Sequence, residues 1–81
     1  MNSELINNID KLHTTELGEV RIKRNLSLEC SDTVKWCRDG ILSPEAVIGR
    51  RGKNWYITVN CCIITVNAYS YTIITAHKRK E

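Results

Sequence analysis

Between Ala46 and Lys80 the chain contains no aspartate or glutamate, and Glu81 is the only acid after Glu45. Other absences narrow the field further. No window approaches eighteen consecutive apolar residues, which excludes a helical membrane span. The first residues, Met1-Asn2-Ser3-Glu4-Leu5, carry an acid and lack both the basic and the apolar stretch of a secretory signal, so a cytoplasmic location is expected. The four cysteines, Cys30, Cys37, Cys61 and Cys62, do not fall into the paired spacing of a zinc site. With only two histidines, far apart, and no acidic cluster, no metal ligand set is expected, and no cofactor motif is present. Buried, reduced thiols behaving as small hydrophobes are the expected state of the cysteines.

What is present describes one small globular unit. At 81 residues, 42% hydrophobic and 26% charged, the chain has the composition of a folded domain rather than of a disordered one. Its size supports about one sheet covered by helices. The formal net charge of +3 conceals an asymmetry. Up to Glu45 there are six basic residues against eight acids, and after it six basic residues against Glu81 alone. A cationic half favours anionic partners.

Hydrophobic spacing divides the chain at the same place. Ser3 can cap a helix carrying Leu5, Ile6, Ile9 and Leu12 at helical intervals. The pattern breaks at His13-Thr14-Thr15. Thr14 or Thr15 can cap a second helix with Glu16 in its first turn and Leu17, Val20, Arg21 and Leu26 following, weakened by Gly18. Ser31 or Asp32 opens a third through Val34, Trp36, Cys37 and Ile41, and Pro44 stops it. From Glu45 the period becomes two, and strands are expected at Ala46–Arg50, Asn54–Val59, Cys62–Asn67 and Tyr71–Lys78. The expected organisation is a single domain over residues 1–81: a helical half (1–44), an antiparallel sheet (45–78) and a basic tail (79–81). The class is α+β, with two or three N-terminal helices on one face of a four-stranded antiparallel meander.

Register follows from the alternation. With Asn60-Cys61 at a hairpin tip, Val59 opposes Cys62, Ile57 opposes Ile64 and Trp55 opposes Val66, all apolar. A slip of one residue would bring threonines into the core. A turn around Ala68-Tyr69 then opposes Val66 to Tyr71 and Ile64 to Ile73. On that parity Thr75 and His77 continue the helix-covered face to its rim. Tyr56, Thr58, Ile63, Thr65, Thr72, Ile74 and Lys78 lie on the other face.

Three candidate functions emerge. His77, with Thr75 beside it, and His13 in the break between two helices form a candidate catalytic set, which would suit metal-independent phosphodiester cleavage if the histidines met at one rim. The plainer alternative is a helix-end residue and a strand-end residue. Arg50, Arg51, Lys53, Lys78, Arg79 and Lys80 are candidate phosphate contacts, with Tyr56 or Tyr69 available to stack on unpaired bases. Here the plainer alternative is a solubilising turn and tail. The leading expectation is RNA or DNA binding through the basic sheet half, with ribonuclease activity a narrower expectation inside it. The rival is a protein-interaction module, whether regulator, inhibitor or homodimer, using the outer Tyr/Thr face. The Ala46–Arg50 edge can also pair with a partner strand, although Arg50 and Arg51 discourage it.

The segments His13-Thr14-Thr15-Glu16-Leu17-Gly18, Gly52-Lys53-Asn54-Trp55-Tyr56 and ITVNAYSYTIITAHK (residues 64–78) resemble a family of small bacterial proteins, mostly from Firmicutes, that is catalogued as a domain of unknown function. The resemblance covers nearly the whole chain and implies a stand-alone bacterial protein, with no activity to carry over. A weaker resemblance is topological. Helices followed by a four-stranded meander are similar to the barnase, colicin and RelE-type ribonuclease fold, whose members place their working groups on the open face of the sheet.

Overall fold

The computed structural model describes residues 2–26, 32–59 and 61–78. Three helices precede a four-stranded sheet: α1 (Asn2–Asn7), α2 (Glu16–Leu26) and α3 (Thr33–Ile41), then β1 (Val47–Arg51), β2 (Asn54–Val59), β3 (Cys62–Asn67) and β4 (Ile73–Lys78). The strands are antiparallel neighbours in chain order. This is the α+β meander that the change of hydrophobic period predicts.

α2 and α3 each begin where a short polar side chain accepts an orphan amide. The amide of Gly18 donates to Thr15 Oγ1 at 3.0 Å at the start of α2, and that of Lys35 donates to Asp32 Oδ1 at 3.0 Å at the start of α3. The first apolar run is split: α1 ends at Asn7 and a single 3₁₀ turn, Ile9–Lys11, carries the chain to Leu12. α3 ends at Ile41, three residues before Pro44.

The core lies between the helices and one face of the sheet. Leu5, Leu12, Ile22, Leu26, Cys37 and Ile41 meet Trp55, Ile57, Val59, Ile64, Val66 and Ile73 there. The β2–β3 register is the one that apolar matching predicts, with Val59 opposite Cys62, Ile57 opposite Ile64 and Trp55 opposite Val66. Cys61, in contrast, is exposed at the hairpin tip with φ 63°, so it is not one of the buried thiols; Cys30 lies outside the described residues.

Gly18 is more than a weak point in α2. A Cβ there would collide with Thr14 Oγ1 and lie 3.2 Å from Thr15 Oγ1 and 3.5 Å from the Ile73 carbonyl. Its absence lets the helix approach β4 closely enough to bury Ile22 and Leu26.

The β3–β4 pairing corrects the expected register. Val66 opposes Ile73, not Tyr71, and Ile64 opposes Ala76, not Ile73. Two local features cause this. The connecting loop is longer than a tight turn around Ala68-Tyr69: the Tyr71 amide donates to the Asn67 carbonyl (2.9 Å) and the Asn67 amide to the Thr72 carbonyl (2.9 Å). Within it, Asn67 Oδ1 accepts from the amides of Tyr69 and Ser70. Tyr71 takes φ 60°, and its ring lies 5.4 Å from that of Trp55. A bulge then falls between Thr65 and Val66, where Thr75 opposes Thr65 and Ile73 opposes Val66, so that Ile74 is the extra residue. Parity reverses beyond it. Thr75 and His77 stand on the outer face, opposite Thr65 and Ile63, while Lys78 takes the covered-face parity opposite Cys62.

Candidate nucleic-acid interface

The register assembles the outer face row by row. Arg51, Asn54 and Asn67 form one row, Gly49, Tyr56, Thr65 and Thr75 the next, and Val47, Thr58, Ile63 and His77 the third. Strand alternation puts all of them on the side away from the helical layer. None is a carboxylate. Thr65, 7% exposed, forms the floor, and Tyr56, 37% exposed, stands above it.

Beside Tyr56 the absent side chain of Gly49 leaves a shallow, open depression of about 320 Å³ lined by Gly49, Arg50, Arg51 and Tyr56. A Cβ at Gly49 would meet nothing within 4 Å, which confirms that the space above it is open. Among the described residues the Arg51 guanidinium makes no hydrogen bond or ion pair. A planar cation beside an aromatic face is the pairing that holds a phosphate and stacks its base.

The six basic residues expected to act together do not share one place. Arg50 is occupied within the fold: its guanidinium lies over the rings of Trp55 (5.5 Å) and Tyr69 (5.7 Å), and Nε donates to the Gly52 carbonyl at 3.0 Å. Arg51 precedes the two-residue β1–β2 turn and Lys53 lies within it, beside Gly52 at φ 58°. Lys78 stands at the opposite corner of the sheet, roughly 20 Å away by strand rise and spacing. Arg79 and Lys80 lie outside the described residues.

The candidate catalytic residues also separate. His13 forms a parallel bridge with Thr72, just before β4: its amide donates to the Tyr71 carbonyl (3.2 Å), and its carbonyl accepts from the Ile73 amide (2.7 Å). His77 is five residues further along, roughly 15 Å at strand rise. The two imidazoles therefore do not meet. The His13 ring has local partners instead. Nδ1 lies 2.8 Å from the Lys11 carbonyl, which can only accept, so Nδ1 donates, and Nε2 lies 3.0 Å from Thr72 Oγ1. Thr72 Oγ1 is in turn 2.7 Å from Ser70 Oγ, and Ser70 Oγ donates to Asn67 Oδ1 at 3.2 Å. A base beside a hydroxyl is half of a nucleophile pair, but this chain of bonds runs from Lys11 to Asn67 along the β3–β4 loop and braces it. Thr75 Oγ1 accepts from Asn25 Nδ2 at 3.3 Å, tying the outer face to α2.

That contact exposes what the sequence pattern did not reveal. Arg21 precedes Asn25 by one helical turn, and Arg24 adjoins it. Together with Leu17 and Val20 they line a shallow hollow on α2. Neither arginine makes an ion pair among the described residues, whereas Lys23 is 3.2 Å from Glu19. Counting charges by halves of the chain placed these arginines with the acids of the helical half. The signal that finds them is three-dimensional, the packing of α2 against β4. Among the described residues no group of His, Cys, Asp and Glu is positioned to hold a metal ion.

The family model described as a protein of unknown function (DUF3781) matches residues 6–77. The chain belongs to this family. The matched span includes all four strands as far as His77, the β3–β4 loop with its His13 brace, and α2. No curated protein matches the chain. No solved structure matches it, so the likeness to the barnase, colicin and RelE-type fold rests on element order alone. No helix among the described residues is long and apolar enough to cross a membrane.

Proposed function

We propose that this DUF3781 chain is a cytoplasmic protein that binds single-stranded RNA on the outer face of its sheet. The observation that carries the reading is the Tyr56–Arg51 pair over the Gly49 depression, on a sheet face with no carboxylate in any of its three rows. An aromatic ring stacks on a base of any identity, and an unpaired guanidinium takes the phosphate beside it. Hydroxyls and amides of Thr58, Thr65, Asn54 and Asn67 supply neutral hydrogen-bonding groups along the same face. Arg21 and Arg24 extend its positive side beyond β4.

Cleavage of that RNA is the narrower part of the proposal, and it rests on His77 rather than on a histidine pair. The bulge brings His77 to the open face, where the ribonuclease fold that the element order resembles keeps its working groups. Cleavage by this route survives chelation and is lost in His77→Ala.

Fluorescence anisotropy with a labelled single-stranded RNA, and with DNA of the same sequence, tests the binding. Affinity is expected to fall steeply as salt rises, as phosphate contacts require. Absence of binding at low salt, or binding to a protein partner that is insensitive to salt, would favour the protein-interaction reading instead.

A further inference from the structure

The two edges of the sheet are finished differently. At the start of β4 the outward backbone groups of Ile73 are taken, its amide donating to the His13 carbonyl and its carbonyl accepting from Thr14 Oγ1 at 2.9 Å, and α2 packs against this strand. β1 is the other edge, and among the described residues it pairs only with β2. Arg51 and Asn54 close the two-residue Gly52-Lys53 turn, so Arg51, Gly49 and Val47 exchange hydrogen bonds with β2. Ile48 and Arg50 therefore point their N–H and C=O groups outward, and no backbone bond connects them to another described segment.

We infer that β1 pairs antiparallel with β1 of a second copy of this chain about a twofold axis at Gly49, giving a continuous eight-stranded sheet. The segment Val47-Ile48-Gly49-Arg50-Arg51 is self-complementary in this register. Ile48 opposes Arg50 of the second copy in a pair that exchanges both hydrogen bonds, and the twofold axis repeats it. Val47, 68% exposed, opposes Arg51 of the second copy, whose aliphatic stem can cover it. No arginine faces an arginine, whereas a register centred on Arg50 would oppose the two Arg50 side chains. Arg50 is also held back over Trp55 and Tyr69, which removes the charge that would otherwise guard the edge.

The pairing completes the depression beside Tyr56. All its walls come from β1 and β2, and its β1 side adjoins the free edge of the sheet. The second copy supplies that side and sets its own Tyr56–Arg51 pair on the same continuous face. Because one pair of strands buries little surface, the dimer is weak and concentration-dependent. Two chains of like net charge repel, so moderate salt strengthens it, the opposite of its effect on RNA binding.

Sedimentation equilibrium of the full chain without nucleic acid, over a concentration series at two salt levels, tests the pairing independently of RNA. The wild type is expected to self-associate. V47K, which sets a lysine opposite Arg51 of the second copy, weakens association by about tenfold, and V47E strengthens it by a similar factor. R50P removes an outward N–H without touching the β1–β2 ladder and leaves a monomer. If R50P does not fold, the opposite responses of V47K and V47E decide alone. A wild type that is monomeric throughout, or a dimer indifferent to these changes, would overturn the inference, including the case in which the edge receives a foreign strand.

Discussion

The two faces of the sheet are built from the same strands in alternation, yet folding accounts for only one of them. On the covered face, Trp55, Ile57, Ile64, Val66 and Ile73 are almost fully buried, and each has an apolar neighbour across the strand. On the outer face, Arg51, Tyr56 and His77 are exposed and make little contact with the fold, while no carboxylate balances the charge. Threonine and tyrosine suit a half-exposed strand by propensity alone. An unpaired arginine beside a tyrosine over a glycine floor does not follow from propensity.

Substitutions one residue apart break or sharpen this contrast. Trp55→Ala removes the largest side chain of the covered face and is expected to cost about 3–5 kcal/mol of stability, measured by urea denaturation followed by far-UV circular dichroism. Its neighbour Tyr56→Ala is expected to cost less than about 1 kcal/mol of stability while weakening RNA binding by about 1–3 kcal/mol, the value of one base stacked on an aromatic ring. If Tyr56→Ala instead unfolds the protein and leaves the affinity of the folded fraction unchanged, the division between the faces fails.

Asn67→Ala removes the acceptor for the Tyr69 and Ser70 amides and for Ser70 Oγ. It should destabilise the protein by about 1–2 kcal/mol. Hydrogen exchange then rises first in β4, because this loop sets the β4 register. Arg51→Ala is the mildest change. Stability moves by less than about 0.5 kcal/mol, and the slope of log affinity against log salt falls by about 1.

Much of the covered face was legible from alternation. Trp55 opposite Val66 and Ile57 opposite Ile64 follow because a slip of one residue would bury threonine, and the starts of α2 and α3 follow from Thr15 and Asp32. The last strand was not legible in the same way. Residues 71–78 alternate acceptably in either parity, so the sequence held no penalty that would expose the error. The decision lies in the loop, in the left-handed backbone of Tyr71 and the Asn67 side chain, and in the bulge at Ile74. That single extra residue carries His77 from the rim of the core to the open face. The site was legible in part: Arg51 and Tyr56 stand together, Arg50 turns inward, His13 braces a loop, and Arg21 and Arg24 come from a helix whose sequence neighbours are acidic.

The most direct test of the outer-face account is a two-dimensional amide NMR titration of the wild-type protein with a short single-stranded oligouridylate, repeated at high salt. The account predicts shifts centred on Arg51, Tyr56, Thr65, Thr75 and His77 that vanish as salt rises. Shifts confined to Leu17 and Val20 on α2, or none at low salt, would contradict it.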